Sequence, residues 1–345
     1  MKLGIVFGGK SFEHEISIVS AIALKKVLSC EVVYIFCDAQ REFYWIPTEE
    51  IAAKRFSTGA YKKDPKLTLG HGGFTCKGLF GAKPLNCDLF LNVIHGADGE
   101  DGKIAGLFGF FGLPFIGPRL EASVVSYSKL LTKHLALSCG VRALPYEILT
   151  PQKRTTTMAY PLIVKPLRLG SSIGVSVVRS EKNLSYALDV AFEFDDTVIV
   201  EPFVEGVKEY NLAGCKTLQG MEFSIVEAPQ KGELLDFDKK YLDFSRTQTV
   251  AKASLAGAEV EQLQKAFFAL YDPLFEGALI RCDFFMIDGE VYLNEINPNP
   301  GSMANYLFDD FDGVLNRLAK ALPAPREPEV SYRYIHSIHA AKGKL

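Results

Sequence analysis

The stretch from residue 279 to 301 constrains the fold of this chain most strongly. It contains two runs of β-forming residues around the dipeptide Asp288-Gly289, which is a strong signal for a β-hairpin. Successive side chains of a strand point to opposite faces. Each strand of the hairpin therefore carries a pair of polar side chains on one face, and the two pairs comprise Arg281, Asp283, Glu295 and Asn297.

Whether the two polar pairs share a face depends on the length of the turn. A two-residue turn at Asp288-Gly289 would place Asp283 and Glu295 on opposite faces, whereas a three-residue loop with Gly289 in the left-handed region would place them on the same face. We expect the three-residue loop. Two carboxylates and an amide oxygen then form an all-oxygen site that suits Mg²⁺ and a nucleotide phosphate, and Arg281 beside them can bind an anion. A half-exposed hairpin with solvated charges is the alternative.

The composition is that of a globular protein of two or three domains, since the 345 residues are 48% hydrophobic and 23% charged. The net charge of −3 gives no basic surface for nucleic acid. The seven cysteines include no C-x-x-C pair, which argues against a disulfide framework or a zinc site. The sequence contains neither a signal peptide nor an apolar run of the ~20 residues that cross a membrane. We therefore expect a cytoplasmic protein without membrane contact.

The first 40 residues have the pattern of a parallel α/β sheet, with a strand at 3–7, a Gly-Gly turn, a helix from about Glu13 and a strand at 32–36. Ligands bind such sheets at the carboxyl ends of the strands. Glu13 lies there, although a carboxylate at a helix start also complements the helix dipole. His95 ends a later strand and enters a glycine-acid loop, where a role in the site and a structural role are equally compatible with the sequence.

Three further segments indicate nucleotide binding. A helix predicted at 126–139 carries Lys129 and Lys133, and a strand ending at Lys165 enters a turn at 166–175 that is rich in glycine and serine. Backbone N–H groups of such a turn can bind phosphate, although an ordinary hairpin tip is the alternative. The long polar stretch at 234–255 is typical of a lid over an active site.

These motifs together resemble the D-alanine–D-alanine ligases of the ATP-grasp superfamily, over about residues 1–325. The match comprises Gly-Gly-Lys-Ser-Phe-Glu-His-Glu-Ile-Ser at 8–17, His-Gly-Ala-Asp-Gly-Glu-Asp-Gly at 95–102, Lys-Pro-Leu-Arg-Leu-Gly-Ser-Ser-Ile-Gly at 165–174, Lys-Tyr-Leu at 240–242, Arg-Cys-Asp at 281–283 and Asn-Glu-Ile-Asn-Pro-Asn-Pro-Gly at 294–301. The resemblance implies an α/β fold with α+β ATP-grasp lobes and three domains. We expect an N-terminal parallel α/β domain at 1–117, a central lobe at 118–203, and a C-terminal lobe at 204–345 with the lid at 236–255.

The resemblance also implies a role for individual residues. ATP would be bound by Lys129, Lys165, Glu201, Val204, Glu209, Lys240 and Asn294. Two Mg²⁺ ions, which Mn²⁺ can replace, would be bound by Asp283, Glu295 and Asn297. The first D-alanine would be bound by Glu13 and His95, with Ser171 and Tyr241 hydrogen-bonded to Glu13 as a latch. Arg281 and the Gly301 N–H would stabilise the tetrahedral oxyanion. Tyr306 stands where many members carry serine, so either its hydroxyl or the backbone N–H near Leu307 could bind the carboxylate of the second D-alanine.

The implied activity is ATP-dependent ligation of two D-alanine molecules through a D-alanyl phosphate, for peptidoglycan precursor synthesis, by a homodimer. Three alternatives remain at this point: a ligase that uses D-lactate or D-serine as the second substrate, another ATP-grasp carboxylate–amine ligase, and a nucleotide-binding regulatory protein without turnover. Lys240-Tyr241 argues against the D-lactate ligase, because relatives that use D-lactate carry histidine at the tyrosine position.

Overall fold

Three β-sheets organise the chain in the computed structural model, which describes residues 1–78, 81–229, 252–324 and 328–342. The first sheet has the strand order β6-β5-β4-β3-β2-β1-β7-β8. Its strands are β1 Lys2–Gly8, β2 Glu31–Cys37, β3 Phe43–Ile46, β4 Lys66–Gly70, β5 Gly73–Gly78, β6 Gly81–Pro84, β7 Leu89–Asn92 and β8 Phe115–Ile116. Strands β2, β1, β7 and β8 run parallel, which confirms the predicted parallel opening, and β3 to β6 extend one edge as an antiparallel meander.

Helix α1 (His14–Leu24) connects β1 to β2 and turns a strongly apolar face to the first sheet. Ile16, Ala21 and Leu24 are buried in this face. Val27 lies beyond the helix end and is exposed. Helices α2 (Ala53–Ser57) and α3 (Lys103–Phe110) complete this part of the chain.

The second sheet is antiparallel and has the order β10-β13-β11-β12. Its strands are β10 Glu147–Leu149, β11 Leu162–Pro166, β12 Ser176–Val178 and β13 Val198–Pro202, with helix α6 (Leu184–Phe192) packed against them. The glycine- and serine-rich turn connects β11 to β12, as expected for a strand that leaves into a loop and returns.

The third sheet has the order β15-β14-β16-β17-β9. Its strands are β9 Arg142–Ala143, β14 Lys208–Thr217, β15 Gly220–Phe223, β16 Ile280–Ile287 and β17 Glu290–Asn297. Its core includes buried residues of α4 (Leu120–Tyr127), α5 (Lys129–Ser138) and α7 (Gly257–Tyr271). The single helix predicted at 126–139 is wrong, because Ser128 has an extended backbone, ends α4 and accepts the Leu131 N–H as the cap of α5.

The end of the C-terminal part packs between the first and the third sheet, since its apolar cluster also contains Ala213 and Cys215 of β14. The short 3₁₀ segment Gly301–Leu307 and helix α8 (Phe311–Ala319) bury their apolar side chains in the same cluster as Leu3, Ile5 and Phe7. Helix α9 (Arg333–Lys342) follows. In the described residues, no helix has both the length and the apolar character needed to cross a membrane. Of the predicted lid, residues 236–251 lie outside the described residues.

Candidate active site

A β-bulge, rather than the turn, brings the polar residues of the hairpin onto one face. The hairpin turn has two residues, Asp288 and Gly289, both with positive φ (51° and 78°), so the predicted three-residue loop is wrong, although the left-handed Gly289 is confirmed. The register shifts by one residue between Asp283 and Phe284, which leaves Asn294 as the extra residue of β17. Asp283 then pairs directly with Glu295, as the metal-site hypothesis requires.

The bulge allows β17 to place apolar side chains in the core and polar side chains at the site. Leu293 and Ile296 are both buried in the core although they lie three positions apart, which regular alternation would not allow. The polar face of β17 meets two lysines from other elements. Lys165 donates to Asn294 Oδ1 at 3.3 Å, and Lys129 donates to Glu295 Oε1 at 2.8 Å.

Arg281 donates two hydrogen bonds to the Asp283 carboxylate, from Nε at 2.7 Å and from Nη2 at 2.9 Å. Asn297 donates to the same carboxylate at 3.0 Å, and Arg281 also donates to the Tyr306 hydroxyl at 3.3 Å. Burial would lower the pKa of Arg281, but Asp283 outweighs it and raises the pKa well above its usual value, so this guanidinium stays charged.

The oxygen atoms of this face fit a hard divalent cation. Asp283 and Glu295 stand opposite one another, and the side-chain amide of Asn297 lies beside Asp283. Carboxylate and amide oxygens are the donors that Mg²⁺ and Mn²⁺ accept. This face offers two carboxylates and one amide, and no group of three His, Cys, Asp or Glu side chains that could hold a metal occurs in the described ranges.

A buried carboxylate lies between two lysines on the second sheet. Glu201 forms ion pairs with Lys165 at 2.6 Å and with Lys133. Burial alone would raise the pKa of Glu201, but Lys165 and Lys133 outweigh it and lower it to about 2. Lys133 lies one helical turn after Lys129 on α5 and also donates to the Leu144 carbonyl at 3.2 Å. This spacing is visible in the sequence, yet no role was predicted for Lys133.

Glu13 connects the first sheet to the glycine- and serine-rich turn. The hydroxyl of Ser171 donates to Glu13 Oε1 at 2.6 Å, and Ser171 has a left-handed backbone with φ of 57°. Burial, followed by the nearby charge of Glu100, raises the pKa of Glu13 to about 7. Two glycines make room for this carboxylate, because a Cβ at Gly96 would lie 2.6 Å from Glu13 Oε2 and one at Gly170 would lie 3.0 Å from Oε1.

His95 lies next to Glu13 in the interior and is uncharged at neutral pH, because burial lowers its pKa to about 4. Its Nε2 is 2.9 Å from Ser20 Oγ, and its Nδ1 is 3.7 Å from the carboxylate of Glu100. Burial raises the pKa of Glu100 to about 8. The sequence placed Glu100 in a glycine-acid loop without a role, so the structure adds it to the residues around the site.

The segment after β17 forms a left-handed turn. Ser302, Met303 and Ala304 all have φ near 50° and ψ near 28°. A left-handed conformation costs a residue with a side chain roughly 1–2 kcal/mol, so three in a row need strong external support. Gly301 precedes this turn, and Leu307, which ends the segment, is buried.

The remaining predicted site residues are more dispersed. Val204 lies two residues after the end of β13, and Glu209 is exposed on β14. Tyr241 and Lys240 lie outside the described residues. The structure therefore groups Glu13, Ser171 and His95 in one cluster, and Lys129, Lys165, Glu201, Arg281, Asp283, Asn294, Glu295, Asn297 and Tyr306 in another.

Comparison with known proteins gives consistent matches along the whole chain. Residues 2–118 match the family described as D-ala D-ala ligase N-terminus, and residues 140–310 match D-ala D-ala ligase C-terminus. The chain is 59% identical to the D-alanine–D-alanine ligase of Wolinella succinogenes and 57% identical to that of Helicobacter hepaticus, each over 100% of both chains.

Solved structures agree with these matches. The D-alanine–D-alanine ligase of Helicobacter pylori is 49% identical, with a TM-score of 0.85 over 94% of this chain and 100% of that one. The ligase of Coxiella burnetii, at 24% identity, shares the fold with a TM-score of 0.75 over 93% of each chain. These neighbours confirm the predicted fold class, a mixed α/β protein of the ATP-grasp type.

Proposed function

This chain belongs to the D-alanine–D-alanine ligase family, and from that membership we propose that it joins two D-alanine molecules to D-alanyl-D-alanine with the conversion of ATP to ADP and phosphate. One observation carries the proposal for the site. Asp283 and Glu295 face each other beside Arg281, while Lys129 and Lys165 reach the same face from other elements. Such a face can bind and neutralise a polyphosphate next to a second anion.

The first step transfers the γ-phosphoryl group of ATP to the carboxylate of one D-alanine and leaves ADP. We propose that Lys129, Lys165 and, from the lid, Lys240 bind the phosphates, with Asn294 orienting Lys165. Glu201 and Val204 border the adenine, and Glu209 meets the ribose. Phosphoryl transfer needs positioning and charge neutralisation more than covalent help, and these residues supply both.

Two Mg²⁺ ions, or Mn²⁺ in their place, would be held by Asp283, Glu295 and Asn297, and they supply positive charge at the transferring phosphoryl group. Lys129 forms an ion pair with Glu295, and Arg281 forms one with Asp283. The lysine therefore favours the ionised form of Glu295, which is the form that binds a cation. Burial would raise the pKa of Glu295, but the positive charges of Lys129, Lys165 and Arg281 together outweigh it and lower the pKa.

The first D-alanine is proposed to bind with its ammonium at Glu13 and with His95 nearby. A buried carboxylate that lacks a cationic partner has a raised pKa, and the ammonium provides the missing partner. The hydrogen bond from Ser171 to Glu13 connects this substrate to the turn over the phosphates, and Tyr241 would complete the latch. A lid at 236–255 would keep water away from the acyl phosphate.

In the second step, the free amine of another D-alanine attacks the acyl phosphate carbon. The C–N bond forms, the amine gives up a proton, and the C–O bond to phosphate breaks as phosphate leaves. We propose that Arg281 and the Gly301 N–H stabilise the oxyanion. Tyr306, already hydrogen-bonded to Arg281, and the backbone N–H near Leu307 would bind the carboxylate of the incoming substrate.

The biological setting is part of the proposal. D-Alanyl-D-alanine would serve as a precursor of peptidoglycan and so contribute to cell wall synthesis and cell shape, with the enzyme acting in the cytoplasm as a homodimer. The division into domains at 1–117, 118–203 and 204–345 is also proposed. The family matches at 2–118 and 140–310 support the first boundary.

The test is product stoichiometry with the purified full chain, ATP, Mg²⁺ and D-alanine. We expect one ADP, one phosphate and one D-alanyl-D-alanine for each turnover. L-Alanine in place of D-alanine should leave ADP release at background. ADP release that does not respond to D-alanine would refute the ligase and favour a nucleotide-binding protein without this turnover. Depsipeptide formed from mixed D-alanine and D-lactate would favour the D-lactate alternative.

A further inference from the structure

Ser20, a residue of α1 in the N-terminal part of the chain, contacts two functional segments at once. It is completely buried, and its Oγ accepts the backbone N–H of Ser302 at 2.9 Å. The same Oγ lies 2.9 Å from His95 Nε2. Ser20 and Ser302 are 282 residues apart in sequence, so this contact joins the first sheet to the turn that follows the phosphate-binding hairpin.

The Ser20 hydroxyl has one proton to donate and two lone pairs, and one of these lone pairs accepts the Ser302 N–H. Since the oxygen accepts from Ser302, the hydroxyl proton can go to His95 Nε2, which places the imidazole proton on Nδ1. His95 is neutral at physiological pH, which this arrangement requires. The hydroxyl therefore fixes both the position of Ser302 and the orientation of the His95 ring.

The turn that Ser20 holds is strained, and it is anchored also by the buried side chains of Met303 and Ala304. Ser302, Met303 and Ala304 are all left-handed, and the buried hydroxyl of Ser302 has no hydrogen-bond partner among the described residues. Asn299 Nδ2 also crosses this junction and donates to the Ile94 carbonyl at 3.0 Å, and within the turn Asn305 Nδ2 donates to the Ser302 carbonyl at 2.7 Å. A backbone held in a rare conformation persists only where its surroundings fix it, and such segments are found at functional sites.

We propose that Ser20 is a positioning residue for the second step of the reaction. By holding the Ser302 N–H, it fixes the left-handed turn and with it Gly301, whose N–H faces the developing oxyanion in the proposed mechanism. By bonding His95, it ties that turn to the site of the first D-alanine. This inference rests on the proposed ligase function, and it concerns acyl transfer rather than nucleotide binding.

Loss of the Ser20 hydroxyl should uncouple the two steps. Phosphorylation of the first D-alanine depends mainly on Glu13, the lysines and the Asp283–Glu295 face, and no hydrogen bond described in the structure joins Ser20 to these residues. A displaced turn would slow the attack of the second amine, and the acyl phosphate would then be lost to water. The expected signature is more than one ADP released for each dipeptide formed.

The experiment compares the full-length parent with Ser20→Ala and with Ser123→Ala. Ser123 is equally buried, but its hydroxyl donates only a long bond of 3.4 Å to the Pro118 carbonyl among the bonds described. For Ser20→Ala, kcat for dipeptide should fall about 10- to 100-fold, the ATP KM should stay within about twofold, and the ADP-to-dipeptide ratio should rise above one. Ser123→Ala should keep a ratio of one.

A second pair of variants separates the hydroxyl from packing. Ser20→Thr and Ser20→Val add the same volume, and only threonine keeps the hydroxyl, so threonine should restore coupling relative to valine. Rates are expressed per ATP-binding molecule, so that partial unfolding does not mimic the effect. Equal ratios for the threonine and valine variants, or a ratio of one in Ser20→Ala, would overturn the inference. A parent enzyme that makes no dipeptide would instead refute the proposed function.

Discussion

The Ser171 hydroxyl donates a 2.6 Å hydrogen bond to the Glu13 carboxylate, although the two residues lie 158 positions apart and in segments that follow strands of different sheets. The bond joins the end of the first sheet to the turn between β11 and β12. The carboxylate therefore sits where a substrate ammonium and a nucleotide phosphate could be brought together. Its second oxygen is buried and lacks a hydrogen-bond partner in the described part of the chain.

The substitution Glu13→Gln should change the pH dependence of stability. The folded-state pKa of Glu13 is raised from 4.5 to about 7, so the native state binds the proton more tightly than the unfolded state does. Ionisation therefore destabilises the fold increasingly as pH rises from about 5 to 7, by up to roughly 3 kcal/mol. The variant should gain Tm relative to the parent at pH 8 and much less at pH 5. Glu15→Gln, an exposed change on the same helix, is the control, and equal Tm differences at both pH values would contradict the assignment.

The substitution Glu295→Gln should preserve the fold and ATP binding but remove most phosphoryl transfer. A neutral amide cannot hold a divalent cation as a carboxylate does, and it also releases the ion pair with Lys129. We expect kcat to fall by about 100-fold or more, which corresponds to at least ~2.7 kcal/mol. Glu290→Gln removes an exposed carboxylate from the same strand and should be neutral. Unchanged turnover of Glu295→Gln at low Mg²⁺ would show that Glu295 is not a ligand of the metal ion.

The substitution Tyr306→Phe should weaken binding of the second D-alanine. It removes the hydroxyl that accepts from Arg281 at 3.3 Å and leaves the guanidinium with Asp283. A single hydrogen bond contributes about 0.5–1.5 kcal/mol, so the KM of the more weakly bound D-alanine should rise about 2- to 10-fold with the ATP KM unchanged. Tyr292→Phe on β17 serves as the control. An unaltered KM would indicate that the backbone N–H near Leu307, rather than Tyr306, binds the carboxylate of the second D-alanine.

The substitution Tyr241→His should shift the choice of second substrate. This prediction rests on the sequence, since Tyr241 lies outside the described residues. A histidine is partly protonated near neutral pH and would repel an incoming ammonium, which leaves a hydroxy acid as the better-tolerated nucleophile. Dipeptide synthesis should fall more at pH 6 than at pH 8, and some D-lactate should be used. Product ratios from mixed D-alanine and D-lactate that match the parent at both pH values would exclude a gating role.

The sequence by itself determined the local features of this protein. Alternation and the Asp288-Gly289 signal were enough to predict the hairpin and its polar residues, and the motifs at 8–17, 95–102 and 165–174 identified the family. These features are short-range, because they depend on strand geometry, glycine conformation and residue spacing within a few positions.

Only the tertiary structure decided how these parts meet. The bulge at Asn294 arises in the middle of a strand, where both Leu293 and Ile296 must reach the core, and turn length alone cannot reveal it. The two lysines around Glu201 come from different elements, and the bond between Ser20 and Ser302 spans almost the whole chain. Such contacts depend on how separate sheets pack against each other, because packing and burial, rather than local propensity, determine which distant polar groups must satisfy one another.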